Sequence, residues 1–234
     1  MINRLKAKIK DLNPAGKFQK SSYSQCGEDL IVKFIFDSLG IKNPGYIDIG
    51  AHHPFYINNT AIFYNSGSVG INIEPDPVLF REFTIHRKKD ININAGIGTE
   101  NSVLDFYLMS SPTLNSFSKE AALDAEKKGY SIIDVKQVQL YQLDKIIRED
   151  AAGKFPDFLS LDVEGLDMDI LASIDYERNA PTVICVETIA FSTTGEAEKD
   201  RRIIDFLETR GYTLYADTYI NSIFVKRNEW VNRK

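Results

Sequence analysis

Tyr46-Ile47-Asp48-Ile49-Gly50-Ala51-His52-His53-Pro54 is the stretch on which the reading of this chain turns. Its first four residues have the apolar, β-branched character of a short buried strand. Glycine follows at once, where a missing side chain lets the backbone come close to a ligand. Working outward, residues 69–74 read as a second strand that ends in the turn Pro75-Asp76-Pro77, with a short helix expected over 58–65 between the two. A helix over 78–87 and a third strand over 91–97 come next, and later strands over 158–163 and 182–187 are each trailed by residues of helical period.

Strands alternating with helices predict a mostly parallel, doubly wound α/β sheet with helices on both faces. The C-terminal segments 212–217 and 222–226, separated by a polar turn, predict an antiparallel hairpin that brings the sheet to seven strands. Residues 101–141 stand apart: two further strands at 103–109 and 135–140 flank a helix near 118–128 and read as an insertion over the sheet. Residues 1–20 carry Ile2, Leu5, Ile9 and Leu12 at helical spacing among Arg4, Lys6, Lys8 and Lys10, the pattern of a basic amphipathic helix. Packing on its own domain is the favoured role for it, with docking to a membrane surface or a partner as the other. The α/β domain proper is then 21–234.

With 43% hydrophobic residues the chain can bury one sizeable core. Acidic residues outnumber basic ones, 33 to 28, for a net charge of −5, which is not the footprint of a general nucleic-acid binder. A small-molecule or glycan partner fits better. No apolar run reaches the ~18 residues of a membrane span and no secretory leader is evident, so the expected location is the cytoplasm. The oligomeric state is left open. Cys26 and Cys185 match neither a disulfide framework nor a metal-ligand spacing.

In open α/β sheets ligands sit beyond the carboxyl ends of the strands, where the strand order reverses. Four polar clusters fall at such ends. The loop 48–54 holds one usable glycine, Gly50, where a dinucleotide fingerprint has three, so the pyrophosphate signal is weak. Glu74, closing the second strand, is placed to accept hydrogen bonds from both hydroxyls of a ribose. Asp162-Val163-Glu164-Gly165 follows an apolar strand; its two carboxylates share a side if the strand persists, and their repulsion favours proton abstraction, while helix capping is the plainer role. Glu187 closes the neighbouring strand, and with Asp162 it offers oxygen ligands to a divalent cation, although the reading favoured here assigns no metal.

These residues resemble a known family. Ser24-Gln25-Cys26-Gly27-Glu28-Asp29, residues 46–54, Asn72-Ile73-Glu74-Pro75 and Leu159-Ser160-Leu161-Asp162-Val163-Glu164-Gly165, in that order, are similar to the FkbM-type methyltransferases over about residues 21–226. The resemblance implies a Rossmann-like class I fold, S-adenosylmethionine as cofactor, and O-methylation of sugar hydroxyls in polysaccharide, glycoconjugate or secondary-metabolite biosynthesis. It also implies site roles. Asp48, Gly50, Ala51 and His52 line the methionine half of the cofactor, Glu74 and Pro75 hold the ribose, and Asn94, Ala95 and Gly96 border the adenine. Tyr23, Gln25 and Glu28 belong to an N-terminal cap over it, and Asp162, Val163 and Glu164 close the other side. His53-Pro54 departs from the wider pattern, where a second glycine is usual.

Methyl transfer needs a hydroxyl aligned with the methyl–sulfur bond and a base to take its proton. Asp162, Glu187, His53 and Glu164 are the candidates for that base. His86, beside Arg87 and Lys88, reads as charge at a helix end, and the aromatics between 130 and 141 as packing. Leu114-Asn115-Ser116-Phe117 is the loop expected to face the acceptor. Two other readings stay open: an NAD-dependent oxidoreductase, and a non-catalytic scaffold of a glycan-assembly complex.

Overall fold

The computed structural model describes residues 15–163, 165–189 and 199–233. The proposed N-terminal helix therefore lies largely outside the described residues, which begin with a short 3-10 turn, Gly16–Phe18. Helix α1 (Glu28–Leu39) precedes β1 (Tyr46–Ile49); α2 (Ala61–Ser66), β2 (Gly70–Ile73), α3 (Pro77–His86), β3 (Ile91–Ile93) and β4 (Gly96–Gly98) follow. Next come β5 (Ser102–Met109), α4 (Lys119–Lys127), β6 (Ile132–Gln142), α5 (Leu143–Asp150), β7 (Phe158–Leu161), α6 (Asp167–Ala172) and β8 (Val183–Glu187). The chain closes with α7 (Arg201–Thr209), β9 (Tyr212–Asp217), β10 (Asn221–Lys226) and α8 (Arg227–Val231).

Seven strands form one sheet in the order β3-β2-β1-β7-β8-β10-β9. Pairing is parallel from β3 to β8, and β10 runs antiparallel to both β8 and β9. This is the mostly parallel, Rossmann-like sheet with a terminal antiparallel hairpin that the sequence pattern predicts. The order reverses at β1, which lies between β2 and β7, so a crevice opens beyond Ile49 and Leu161.

Alternation along each strand divides the core. Ile47, Ile49, Leu159, Leu161, Ile184 and Val186 pack on one face against α5, α6 and α7, while Tyr46, Phe158, Val183 and Cys185 pack on the other against α1 and α2. Asp48, Asn72 and Ser160 are in register across β2, β1 and β7 on that second face and form a buried polar row.

Two local expectations are corrected. The strand expected over 91–97 is split, because the Asn94 side chain donates to the carbonyls of Glu74 (2.8 Å) and Pro75 (3.0 Å) and draws the chain off the sheet. The residues beyond it, β4, instead join β5 and β6 in a separate three-stranded sheet, order β4-β6-β5. The insertion is therefore a small subdomain whose sheet begins before residue 101. The helix expected from 58 starts at Ala61, since Asn58 Oδ1 accepts from the amides of Thr60 (3.0 Å) and Ala61 (2.7 Å) and leads the chain into it.

Candidate active site

A cavity of about 450 Å³ lies at the switch point, within the range of small-molecule sites, about 300–1,000 Å³. Gly50 forms one edge. Its φ of +76° is left-handed, and a Cβ added there would sit 1.8 Å from the Asp162 carbonyl oxygen, so only glycine lets the loop after β1 pass the end of β7. The amides of Gly50 and Ala51 both donate to the Ile73 carbonyl, tying that loop to β2.

Glu74 stands at the end of β2 and is 5% exposed. One carboxylate oxygen accepts the His52 amide at 2.7 Å and the other the Asp76 amide at 2.8 Å. Burial pushes its carboxyl up to about 8 against those two amides. Each oxygen keeps a lone pair, and the residue lines the cavity.

Asp162 sits just past β7, where solvent reaches its side chain through the cavity although protein encloses it. That enclosure, with the negative charge of Asp167, raises its carboxyl to about 6; a hydrogen bond with Glu187 from β8 pulls in the opposite direction. No side chain caps the N-terminus of α6; Asp167, its first residue, instead accepts the amides of Val163 (3.3 Å) and Gly165 (3.2 Å) and holds the preceding turn. Asp162 is thereby left facing the cavity with Glu187.

Of the residues singled out in the sequence, Gln25, Gly50, His52, Glu74, Pro75, Ala95, Gly96, Asp162, Val163 and Glu187 line this cavity. Others support it from outside. Asp48 is buried beneath the loop, where it accepts from Thr60 Oγ1 (2.8 Å) and Asn58 Nδ2 (3.1 Å), and burial raises its carboxyl. Ala51 is buried and offers its carbonyl to the same Asn58 amide group, while Asn94 braces the 74–75 carbonyls. The Tyr23 carbonyl accepts the Asn58 amide, and its ring packs against Phe55.

Two site expectations are not met by the geometry. Glu28 is fully buried and turned to the C-terminal hairpin: it accepts from Thr218 Oγ1 at 2.7 Å and Asn221 Nδ2 at 3.2 Å. His53 does not reach the cavity; its Nδ1 accepts the amides of Phe55 and Tyr56, both at 3.1 Å, and holds a tight turn. Glu164 lies outside the described residues. Among the described residues, no group of three or more His, Cys, Asp or Glu is arranged to hold a metal ion.

From the insertion, Asn115, Ser116 and Phe117 line the cavity, together with Phe106, whose ring packs at a tilt against Phe117 with centroids 4.6 Å apart. Asn115 Nδ2 reaches Asp76 at 2.9 Å and anchors the loop beside Glu74.

The sequence reading missed Arg87. It is not a solvated charge at a helix end but a fully buried guanidinium, paired with Asp90 at 2.8 Å. It donates to the Pro54 carbonyl (3.1 Å), Tyr46 Oη (2.8 Å) and Thr60 Oγ1 (3.1 Å), and Thr60 in turn holds Asp48. One cation thus ties the polar row of the sheet to the far end of the ligand loop. The only sequence signal was an Arg and an Asp three residues apart beyond a helix, a pattern that surface pairs share.

A family model described as the Methyltransferase FkbM domain matches residues 48–214, well over half of the chain. The chain belongs to the FkbM methyltransferase family. The matched segment contains the end of β1 with its glycine loop, the insertion, and Glu74, Asp162 and Glu187, which are the whole of the cavity's acidic lining described above. No curated protein matches the chain in sequence. Among solved structures, it is similar to methyltransferase FkbM from Methylobacillus flagellatus KT at 14% identity and a TM-score of 0.44, over 79% of this chain and 44% of that one. The chain thus spans less than half the length of that FkbM protein, and its fold assignment rests on its own strand order. No helix among the described residues is long and apolar enough to cross a membrane.

Proposed function

We propose that this FkbM family member binds S-adenosylmethionine in the switch-point cavity and methylates a sugar hydroxyl in polysaccharide, glycoconjugate or secondary-metabolite biosynthesis. A cytoplasmic place of work goes with that reading. The observation that carries it is Glu74: a buried carboxylate, fixed by two backbone amides, whose remaining lone pairs are available to the paired hydroxyls of a ribose. The residues around it fit the rest of an adenosyl ligand. Ile73, Leu79, Ala95, Gly96, Phe106 and Phe117 offer an apolar slot for the adenine, and the Gly50–His52 backbone borders the opposite end.

When bound, S-adenosylmethionine supplies a methyl group on a positively charged sulfur, so alignment is the main demand on the protein. Asp162, which lines the cavity, would offer a carboxylate to that charge and so favour the cationic ligand over its neutral product. Asp162, steadied by its hydrogen bond with Glu187, would take the proton of the acceptor's hydroxyl. Phe106 of β5 and Phe117 of the insertion loop wall the slot beside Glu74 with apolar surface.

Calorimetry with S-adenosylmethionine, S-adenosylhomocysteine and NAD tests the cofactor. Saturable binding of the two sulfur ligands alone is expected. Binding of NAD in their place would convert the reading to an oxidoreductase, and binding of none would leave a scaffold.

A further inference from the structure

Four non-glycine residues among those described adopt positive φ: His52 (+55°), Ile57 (+50°), Ala152 (+52°) and Tyr219 (+75°). Three of them, His52, Ile57 and Tyr219, line the same cavity. Left-handed backbone is unfavourable for residues with a Cβ, and where several such residues meet, the fold is holding side chains in place at a cost. His52 has its reason, since its amide must reach Glu74. Tyr219 has no such partner in the adenosyl half of the site.

Tyr219 sits in the turn between β9 and β10, and this turn is braced from several directions. Thr218 Oγ1 and Asn221 Nδ2 both donate to the buried Glu28, the Thr218 amide donates to the Asn221 carbonyl at 2.9 Å, and the Tyr219 amide donates to Asp217 Oδ1 at 2.7 Å. Asp217 is itself paired with Lys199 at 2.8 Å. A buried carboxylate spent on a hairpin turn is more anchoring than a surface turn needs. What it fixes is an aromatic ring that is still 62% exposed, at the rim of the cavity, on the side lined by Gln25, Glu187 and Ile220.

The geometry points to Tyr219 as a stacking platform for the methyl acceptor, and to a neutral, polyhydroxylated ring as the acceptor it selects. This inference rests on the methyltransferase reading of the cavity and specifies its acceptor side. A tyrosine face is negatively polarised and takes the C–H face of a sugar ring, leaving the ring's hydroxyl edge to polar groups. Glu187 and Asp162 are those groups here. Charge narrows the class further: the acceptor side is lined by Asp162 and Glu187 and by no Lys or Arg among the described residues, so a phosphorylated or carboxylated acceptor finds no cationic partner there. Glu28 acts as a positioning residue, through the turn.

The test is saturation-transfer NMR on the full chain loaded with S-adenosylhomocysteine. The probes are neutral methyl hexopyranosides (gluco, galacto, manno and 6-deoxy forms), glucose 6-phosphate, glucuronate and methyl 4-hydroxybenzoate. Saturation transfer to at least one neutral glycoside is expected, with its ring C–H face the most strongly saturated and the anionic sugars silent. Tyr219→Ala should lose that signal about tenfold or more while its affinity for S-adenosylhomocysteine stays within about twofold, and Tyr219→Phe should keep it. Tyr219→Gly relieves the backbone and should melt no lower than the parent, yet lose the glycoside, which separates the ring's role from folding. Glycoside binding unchanged in Tyr219→Ala, preference for an anionic sugar or the phenol, or no glycoside bound to a chain that holds S-adenosylhomocysteine would each overturn the inference. A chain that fails to hold S-adenosylhomocysteine at all overturns the methyltransferase reading, and this one with it.

Discussion

Replacing Glu74 by Gln removes the buried charge and turns one of its two accepting oxygens into a donor. In the parent, both carboxylate oxygens accept a backbone amide, and burial raises the carboxyl from 4.5 to about 8. If the ribose hydroxyls donate to the ionised form, ligand affinity follows the ionised fraction. That fraction rises from about 3% at pH 6.5 to about half at pH 8, so the Kd for S-adenosylhomocysteine should fall about 15-fold over this interval, with uptake of a proton by the buffer. In Glu74→Gln the slope should vanish. Losing a hydrogen bond to a charged acceptor costs about 1.5–3 kcal/mol, so Kd at pH 8 should rise about 10–150-fold. The sign for folding is opposite: a raised pKa favours the protonated native state, so this contribution is complete below pH 4.5 and lost as pH rises through about 8. Calorimetry across buffers of different ionisation enthalpy reads both affinity and proton release. An unchanged affinity in the variant, or the same pH slope, would refute the ribose role of Glu74.

Two more expectations follow from single side chains. For transfer to a neutral hexopyranoside, kcat/KM should climb about tenfold per pH unit below about 6 and level off above it, because Asp162 must be ionised to accept a proton. Asp162→Asn should lower kcat by about 10²–10⁴ and abolish that limb; retention of the limb would move the base to Glu187. Arg87→Leu leaves Asp90 buried without its cation, so urea denaturation should show a loss of about 3–5 kcal/mol, and a loss below about 1 kcal/mol would mean that the network carries little.

Much of the fold was legible because its signals are local. Short apolar runs that end at Gly50, Glu74, Asp162 and Glu187 mark strand ends directly, and the register then brings the first three of those strands side by side. Polar side chains that act at a distance gave no such signal. Asn94 bends a strand only because the carbonyls of Glu74 and Pro75 lie within its reach, and Glu28 turns from the cavity only because Thr218 and Asn221 come to meet it.

The sequence by itself determined the parallel sheet, the terminal hairpin and the acidic strand ends, since period and turn chemistry are written residue by residue. Tertiary structure alone decided which acids share the cavity, that His53 stands outside it, that Arg87 is buried beneath it, and that Tyr219 reaches its rim. Those outcomes depend on contacts between segments up to 193 residues apart, and the free energy of a charge or a ring is set by what surrounds it after folding rather than by its neighbours in the chain.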